Sequence, residues 1–251
     1  MPGDILVERR GGVQVIRLNR PDKKNAITRP MYAAMTEALE SGDADPSVRV
    51  HLFLGVPGAF SAGNDLADFL AASDGGDFGD EVWNFVLTLA AVEKPMVSGV
   101  DGIAVGIGTT LNLHCDMTVA TPRTRFHTPF VDLGLVPEAA SSLLLPRIIG
   151  PQRAFAMLGL GEALSAEDAL AAGFIHAVVA EDALEGEAMV LAERLAAKPP
   201  EALRLTRALM RGRRDEVQAR MREEAERFRE RLRSAEAASA FREFFSRKKV
   251  R

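Results

Sequence analysis

Several features are scarce in this sequence of 251 residues, and each scarcity excludes a class of protein. A single cysteine, Cys115, cannot form a disulfide within the chain, which fits a reducing compartment. No apolar run reaches the ~18 residues that a membrane span needs. The first residues, MPGDILVERRGG, lack the apolar core of a signal peptide. We therefore expect a cytoplasmic protein without a membrane partner.

The sequence also lacks a strong positive charge and the common nucleotide-binding fingerprints. Its net charge is −4, so no overall basic field would attract nucleic acid, and we expect no nucleic-acid partner. Neither GxxxxGKS/T nor GxGxxG followed by an acid ~20 residues later occurs, which argues against a phosphate loop or a dinucleotide fold. The absence of GxSxG argues against a serine hydrolase.

What is present is an alternation of strands and helices. DILVERRGGVQVIRLNRP predicts two short strands joined at Gly11-Gly12, and VRVHLFLG predicts a buried strand. A unit of strand, small-residue turn and helix occurs around residues 50–70, where a short helix follows FSAGND, and recurs around residues 95–114. This order predicts an α/β fold with helices outside a sheet, and it favours a spiral arrangement.

Apolar spacing, glycine and charge indicate where the helices lie. ITRPMYAAMTEALESG places Met31, Met35 and Leu39 on one stripe, with Gly42 as the stop. From Pro137 on the chain is mainly helical, and residues 201–251 hold 16 Lys and Arg against 9 Asp and Glu. We predict a core domain over 1–199 and a helical C-terminal region over 200–251. The charges of that region fit a long exposed helix, or a few cations that meet a polyanionic ligand such as a nucleotide phosphate.

One acid lies in an apolar stretch, FHTPFVDLGLVPEAASSLLLP, where Glu138 follows Pro137. A carboxylate among apolar side chains loses solvation, so its pKa should rise towards neutrality. Pro-Glu is also a common helix start, and an acid in the first turn is favoured by the helix dipole. The local sequence therefore leaves two interpretations open, a helix cap or a tuned general base.

Two glycine-containing turns, GVPGAFSAGNDL and DGIAVGIGTTLNL, each follow a predicted strand. Small residues let the backbone approach a ligand closely, and the N–H groups at a helix start remain free. Two such turns facing each other would supply a pair of donors for an oxyanion that develops on a carbonyl. Plain packing of strand against helix is the alternative.

Taken in order, several segments resemble a known family. RPDKKNAI, GAFSAGNDL, PMVSGVDGIAVGIGTTLNLHCDM, FHTPFVDLGLVPEAASSLLLPRIIG and ALSAEDALAAGFIHAVV are similar to segments of the enoyl-CoA hydratase/isomerase (crotonase) superfamily, over roughly residues 5–180. GIAVGIGTTL and FHTPFVDLGLVPEAASS look most like its Δ3,Δ2-enoyl-CoA isomerase branch. The resemblance implies a crotonase-like spiral of ββα units with a helical C-terminal region that covers the active site or joins subunits. It also implies a homotrimer or hexamer.

The same resemblance implies an acyl-CoA thioester as substrate, with no metal and no separate cofactor. By position, the thioester oxygen would lie between the N–H groups of Ala62 and Ile107. The residues that the resemblance places against acyl-CoA are Lys24, Ala26, Ala62, Gly63, Asn64, Asp65, Leu66, Gly106 and Ile107.

The departures from the family pattern bear on the reaction. Hydratases of the superfamily use two glutamates, and the matching positions here hold Thr110 and Phe130, whereas Glu138 occupies the place of the isomerase glutamate. The resemblance therefore implies an isomerase that moves the double bond of a 3-enoyl-CoA to the 2-position through Glu138. The alternatives are another reaction of the superfamily, such as hydration or thioester hydrolysis, and a scaffold that binds acyl-CoA without chemistry.

Overall fold

This computed structural model describes residues 3–65 and 79–249, with side chains described through Glu243. Leu66 and the short helix predicted after FSAGND lie outside the described residues. The described strands are β1 (Ile5–Arg10), β2 (Val13–Leu18), β3 (Val50–Leu54), β4 (Ala59–Ser61), β5 (Met96–Val100), β6 (Ile103–Val105), β7 (Met117–Ala120), β8 (Arg125–His127), β9 (Leu164–Ser165) and β10 (Ala177–Val178). The predicted strand pair around Gly11-Gly12 is confirmed as β1 and β2, which pair antiparallel.

The described helices are α1 (Arg29–Ala44), α2 (Asp80–Ala91), α3 (Ile107–Thr110), α4 (Ser141–Ile149), α5 (Pro151–Gly159), α6 (Ala166–Ala171), α7 (Leu184–Ala196), α8 (Pro200–Arg211), α9 (Arg214–Leu232) and α10 (Ala235–Lys249). The predicted stop of α1 at Gly42 is wrong, because the helix runs on to Ala44. Gly42 serves close packing instead, since a Cβ atom there would lie 2.5 Å from the Gln14 side chain and 2.7 Å from His51.

The strands form two sheets that the chain visits in turn. The larger sheet has the order β1-β2-β3-β5-β7-β10 and the smaller has the order β4-β6-β8-β9. From β3 to β8, strands that are consecutive in the sequence lie in different sheets. In β3/β4, β5/β6 and β7/β8 the first strand belongs to the larger sheet and the second to the smaller. Within each sheet these strands are parallel neighbours, so the chain advances as a spiral. The predicted α/β spiral is confirmed.

Burial of the larger sheet explains its composition. Every residue of Val50–Leu54 and of Met96–Val100 is buried, as expected for parallel strands that are covered on both faces. One face packs against Leu184, Ala188 and Leu191 of α7. On the other side lies the main core, to which the predicted stripe of Met31, Met35 and Leu39 on α1 belongs.

The C-terminal helices share that main core. Val217, Met221 and Phe228 of α9 and Phe241 of α10 are buried in the same cluster as the strands. Phe228 meets Trp83 of α2 edge to face, with the ring centroids 5.7 Å apart. The proposed boundary between 1–199 and 200–251 stays a prediction, while the packing attaches α9 and α10 to the body of the protein. No helix among the described residues is long and apolar enough to cross a membrane.

Candidate active site

The two glycine turns lie side by side at the carboxyl ends of β4 and β6, which are parallel neighbours. Gly63 has φ +84°, and a Cβ atom there would lie 2.8 Å from the carbonyl oxygen of Val105. A Cβ atom on Gly108 would lie 2.8 Å from the Cβ atom of Ser61. Both turns therefore need glycine, because each backbone packs directly on the other.

In the first turn, one of the two predicted oxyanion donors is not the residue that the sequence indicated. The N–H group of Ala62 donates to the carbonyl oxygen of Lys24 at 2.9 Å, so the prediction that Ala62 supplies a free amide is wrong. The free amide belongs to Asn64, which forms a parallel bridge with Ile27. That bridge uses the carbonyl of Gly63 and the N–H of Asp65, which flank Asn64. The N–H of Asn64 itself therefore points to the opposite side, where no acceptor within the described residues contacts it.

The second turn leaves the amide of Ile107 free. The N–H group of Gly106 donates to the carbonyl oxygen of His127 at 2.8 Å, and those of Thr109 and Thr110 donate back to the carbonyl of Gly106. Ile107 is the first residue of α3, and its N–H has no acceptor in the part of the chain that the structure describes. Unpaired amides are normal at a helix start, and here the amide follows the turn that touches Ser61 and Gly63.

The residues predicted to contact CoA brace the first turn. Lys24, at φ +50°, contributes the carbonyl that holds Ala62, and the next residue, Asn25, is fully buried. The Asn25 side chain donates to the carbonyls of Ala59 at 2.9 Å and Phe60 at 3.1 Å. These bonds fix the Lys24–Ala26 loop against β4, the strand that leads into Gly63.

The side chains of Asn64 and Asp65 are also held in place. The hydroxyl group of Tyr32 donates to Oδ1 of Asn64 at 2.6 Å. Arg20 pairs with Asp65 at 2.6 Å and donates to the carbonyl of Ala26 at 3.0 Å. The structure thus brings Lys24, Ala26, Gly63, Asn64 and Asp65 together around one turn, as the sequence predicted.

Glu138 lies inside the protein, with 5% of its surface exposed. Its Oε1 atom accepts a hydrogen bond of 2.5 Å from the hydroxyl group of Thr110, the last residue of α3. Thr110 is three residues after Ile107, so these two backbone positions are ~4.5 Å apart along the axis of α3, and the carboxyl group is bonded to the same short helix that begins with the free amide. Burial raises the pKa of Glu138 to about 8, the bond from Thr110 lowers it, and the negative charge of Glu224 raises it further.

The structure contradicts the helix-cap interpretation of Glu138. Helix α4 begins at Ser141, so Pro137 and Glu138 lie before its first turn, and no side chain caps it from the N-cap residue Ala140. Ala139 and Ala140 have φ +57° and +56°, a left-handed conformation that costs a non-glycine residue about 1–3 kcal/mol. Strain of this kind persists only where the surroundings impose it, and here it lies next to Glu138, the acid that is bonded to α3.

The two positions that hold glutamates in hydratases are also buried here. Thr110 is 1% exposed and Phe130 is 5% exposed. A threonine hydroxyl cannot act as a carboxylate base, and a phenyl ring cannot transfer a proton. Within the described ranges 3–65 and 79–249, the arrangement therefore combines a buried acid whose pKa is raised to about 8, bonded to α3, with two adjoining turns that each carry a free main-chain amide. Such a site is suited to removing a proton next to a carbonyl group.

A spiral of paired strands that ends in two touching glycine turns, with a buried acid beside them, defines a crotonase-type protein. The chain belongs to the enoyl-CoA hydratase/isomerase family, whose sequence profile matches residues 8–251. The structure of Pseudomonas aeruginosa OdaA superimposes with a TM-score of 0.92 at 41% identity, over 97% of this chain and 99% of that one. The enoyl-CoA hydratase/isomerase of Pseudoalteromonas atlantica superimposes with a TM-score of 0.92 at 38% identity, over 98% of each chain.

Curated relatives include several isomerases. Enoyl-CoA delta isomerase 2 of Rattus norvegicus is 37% identical over 250 residues, which are 97% of this chain and 64% of the rat protein. The 1,2-epoxyphenylacetyl-CoA isomerase of Escherichia coli is 37% identical over 194 residues, which are 75% of this chain and 74% of that protein. The chain thus spans about two thirds of the length of the rat relative. The predicted family is confirmed, and similarity to its isomerase branch is borne out.

Proposed function

We propose that the protein converts 3-enoyl-CoA thioesters into 2-enoyl-CoA thioesters, with Glu138 as the group that carries the proton. One observation carries the proposal. The carboxyl group of Glu138 is buried, its pKa is raised to about 8, and it accepts a hydrogen bond from Thr110 on α3, the helix that begins with the free amide of Ile107. The names of the delta isomerase relatives support the same reaction class.

The reaction begins with the thioester oxygen between the N–H groups of Asn64 and Ile107. These donors stabilise negative charge on that oxygen, which acidifies the protons on C2. The Glu138 carboxylate takes one of these protons. The electron pair of the broken C–H bond forms a C1–C2 double bond, and the carbonyl pair moves onto oxygen.

The second half of the reaction returns the proton to a different carbon. The oxygen pair re-forms the carbonyl, the C1–C2 pair becomes the C2–C3 double bond, and the former C3–C4 pair takes the proton at C4. The donor is the same Glu138 carboxyl group, so the enzyme ends unchanged and the substrate loses no atoms. A pKa near neutrality suits a group that must both accept and donate a proton.

Two other reactions of the family are less well supported. Hydration of a 2-enoyl-CoA needs a base and an acid for water, and Thr110 and Phe130 provide neither. Isomerisation of an aromatic epoxide thioester is supported by the name of one relative, the 1,2-epoxyphenylacetyl-CoA isomerase of Escherichia coli, which matches 75% of this chain. A scaffold that binds acyl-CoA has no need of a buried acid beside two free amides.

The test is a parallel assay of the wild-type protein and Glu138→Gln with 3-enoyl-CoA, 2-enoyl-CoA and saturated acyl-CoA. We expect isomerisation by the wild-type protein and a loss of ~10²–10⁴-fold in Glu138→Gln, because general base catalysis contributes that much. Glu223→Gln, whose side chain is 64% exposed, is the matched control and should keep its activity. Near wild-type turnover by Glu138→Gln contradicts the assignment. Binding of all three thioesters without turnover by the wild-type protein favours the scaffold.

We also propose that the protein forms a homotrimer or hexamer. Helix α8 exposes Leu205, Leu209 and Met210, of which the last two are 84% and 83% exposed. Exposed apolar side chains grouped on one helix are typical of an interface between subunits. Sedimentation of the protein over a range of concentrations tests this proposal, and a monomer at micromolar concentration contradicts it.

A further inference from the structure

Glu224 is a second buried acid close to Glu138, and it comes from the C-terminal region of the chain. It lies on α9 and is 6% exposed. Its Oε2 atom accepts the N–H of Ala140 at 2.6 Å, and its Oε1 atom accepts the N–H of Ser142 at 3.0 Å and the Ser142 hydroxyl at 2.5 Å. All three donors belong to the segment that directly follows Glu138.

These bonds replace a cap that the local sequence does not supply. Helix α4 has Ala140 at its N-cap position, and alanine has no side-chain oxygen to accept the free N–H groups of the first turn. Glu224 supplies that oxygen from another helix. Burial raises the pKa of Glu224, whereas the hydrogen bonds from Ser142 and Ala140 and the positive charge of Arg220 lower it. Every group that contacts its carboxylate donates a hydrogen, so the contacts suit the ionised form, and the Arg220 guanidinium lies 3.1 Å from the Ser142 hydroxyl.

The same segment contains the left-handed residues Ala139 and Ala140. It is held from two sides. The carbonyl of Ala139 can only accept, so the bond of 2.9 Å to Nε2 of His114 is donated by the histidine ring. Burial lowers the pKa of His114 to about 4, so the ring is neutral near pH 7. Glu224 holds the opposite side through the N–H of Ala140.

We propose that Glu224 is a positioning residue, whose three hydrogen bonds keep the Ala139–Ala140 turn left-handed and thereby aim the Glu138 carboxyl group at Thr110 and α3. This inference rests on the proposed role of Glu138. It makes α9 part of the catalytic apparatus, although its acid touches no substrate. It also gives the C-terminal region a defined task at the active site.

The decisive variant is Glu224→Gln. Glutamine keeps the size of the side chain, but its amide NH₂ group is a hydrogen-bond donor and cannot accept the N–H and hydroxyl donors of Ala140 and Ser142. We expect kcat for isomerisation to fall at least tenfold while KM changes less than threefold, because the CoA-binding turns are untouched. We also expect the pH–rate profile to move to lower pH, because the negative charge next to Glu138 is gone. Glu226→Gln, on the same helix but exposed and outside the contacts of Arg220, should match the wild type in both measurements. If Glu224→Gln has the kcat and the pH profile of that control, the inference is overturned.

A second readout does not depend on catalysis. Hydrogen exchange of the Ala140 and Ser142 amides, followed by NMR, should be at least tenfold faster in Glu224→Gln than in Glu226→Gln. If the wild-type protein does not isomerise 3-enoyl-CoA, the proposed function fails, and exchange alone decides the inference: faster exchange supports it and unchanged exchange overturns it.

If Glu224→Gln does not fold, Ser142→Ala removes one of the three bonds. A kcat about threefold below the wild type then supports the inference, and an unchanged kcat overturns it.

Discussion

The hydroxyl group of Thr110 and the carboxyl group of Glu138 are joined by a hydrogen bond of 2.5 Å inside the protein. Thr110 occupies the position where the family resemblance places a glutamate in hydratases. Instead of providing a second acid, this position stabilises the charge of the acid that remains. Burial and the Thr110 bond act on the pKa of Glu138 in opposite directions, and burial has the larger effect.

The first prediction concerns the pH dependence of the reaction. Because the base must lose its proton and its pKa is about 8, kcat/KM should rise about tenfold per pH unit below that value and level off above it. Thr110→Val keeps the shape of the side chain but removes the bond that lowers this pKa. The rising limb should therefore move to higher pH by about one unit, since a bond to a charged group contributes ~1.5 kcal/mol. Thr206→Val, on the exposed part of α8, is the control. An unmoved profile for Thr110→Val, or one at lower pH, contradicts the prediction.

The second prediction concerns stability and needs no substrate. The pKa of Glu138 is about 8 in the folded protein against an ordinary 4.5, so between these values the native state keeps a proton that the unfolded chain has lost. The wild-type protein should lose stability as the pH rises through this window, whereas glutamine does not titrate. The advantage of Glu138→Gln in the free energy of unfolding should thus grow by about 1.4 kcal/mol per pH unit from about 4.5 to about 8. Urea unfolding of both proteins, with Glu223→Gln as control, measures this. A difference that is constant with pH would show that the pKa of Glu138 is not raised.

Local pattern was enough to predict much of the fold. The strands Val50–Leu54 and Met96–Val100 are apolar runs bounded by turn residues. The glycines of the two turns are visible in the sequence, although the short strands β4 and β6 that lead into those turns were not predicted. The family resemblance pointed to Ile107, whose amide has no acceptor among the described residues, and to Glu138, which is buried against α3; their roles in the reaction stay predictions. These features depend on residues that lie near each other in the sequence.

The errors arose where the structure depends on distant partners. The free amide of the first turn belongs to Asn64 and not to Ala62, and this follows from the pairing of Ile27 with Asn64, which the local sequence does not reveal. The Pro137-Glu138 pair is typical of a helix start, which left a helix cap open as one interpretation, yet α4 begins at Ser141, and Glu224, far along the chain, accepts the N–H groups of Ala140 and Ser142 at its start. No local signal identifies Glu224 among the many acids of α9.

The third prediction concerns the contact between the two glycine turns. Gly108→Ala places a methyl group 2.8 Å from the Ser61 Cβ atom and 2.9 Å from its carbonyl oxygen, so the turns must separate. Since a misplacement of ~1 Å can cost ~10²-fold in rate, we expect kcat to fall by about that factor. Gly186→Ala is the matched control, because nothing lies within 4 Å of the added methyl group on α7. Alanine there should leave kcat unchanged and raise the melting temperature, as alanine favours helix. Equal kcat values for the two variants would mean that the spacing of the turns is not critical.

The last prediction concerns the attachment of α8 to the body of the protein. Asp116 accepts bonds from Arg207 at 2.8 Å and Arg211 at 2.9 Å, and also from the N–H of Met96 at 2.8 Å. The side chain of Arg207 is only 7% exposed, so Asp116→Asn leaves a buried guanidinium without its counter-charge. We expect a loss of about 3 kcal/mol in the free energy of unfolding, measured in urea. Asp215→Asn removes an ion pair whose partners are 67% and 80% exposed, so solvent screens it and the free energy of unfolding should hardly change. If both variants lose the same small amount, the Asp116 cluster does not secure α8, and apolar packing alone must hold that helix in place.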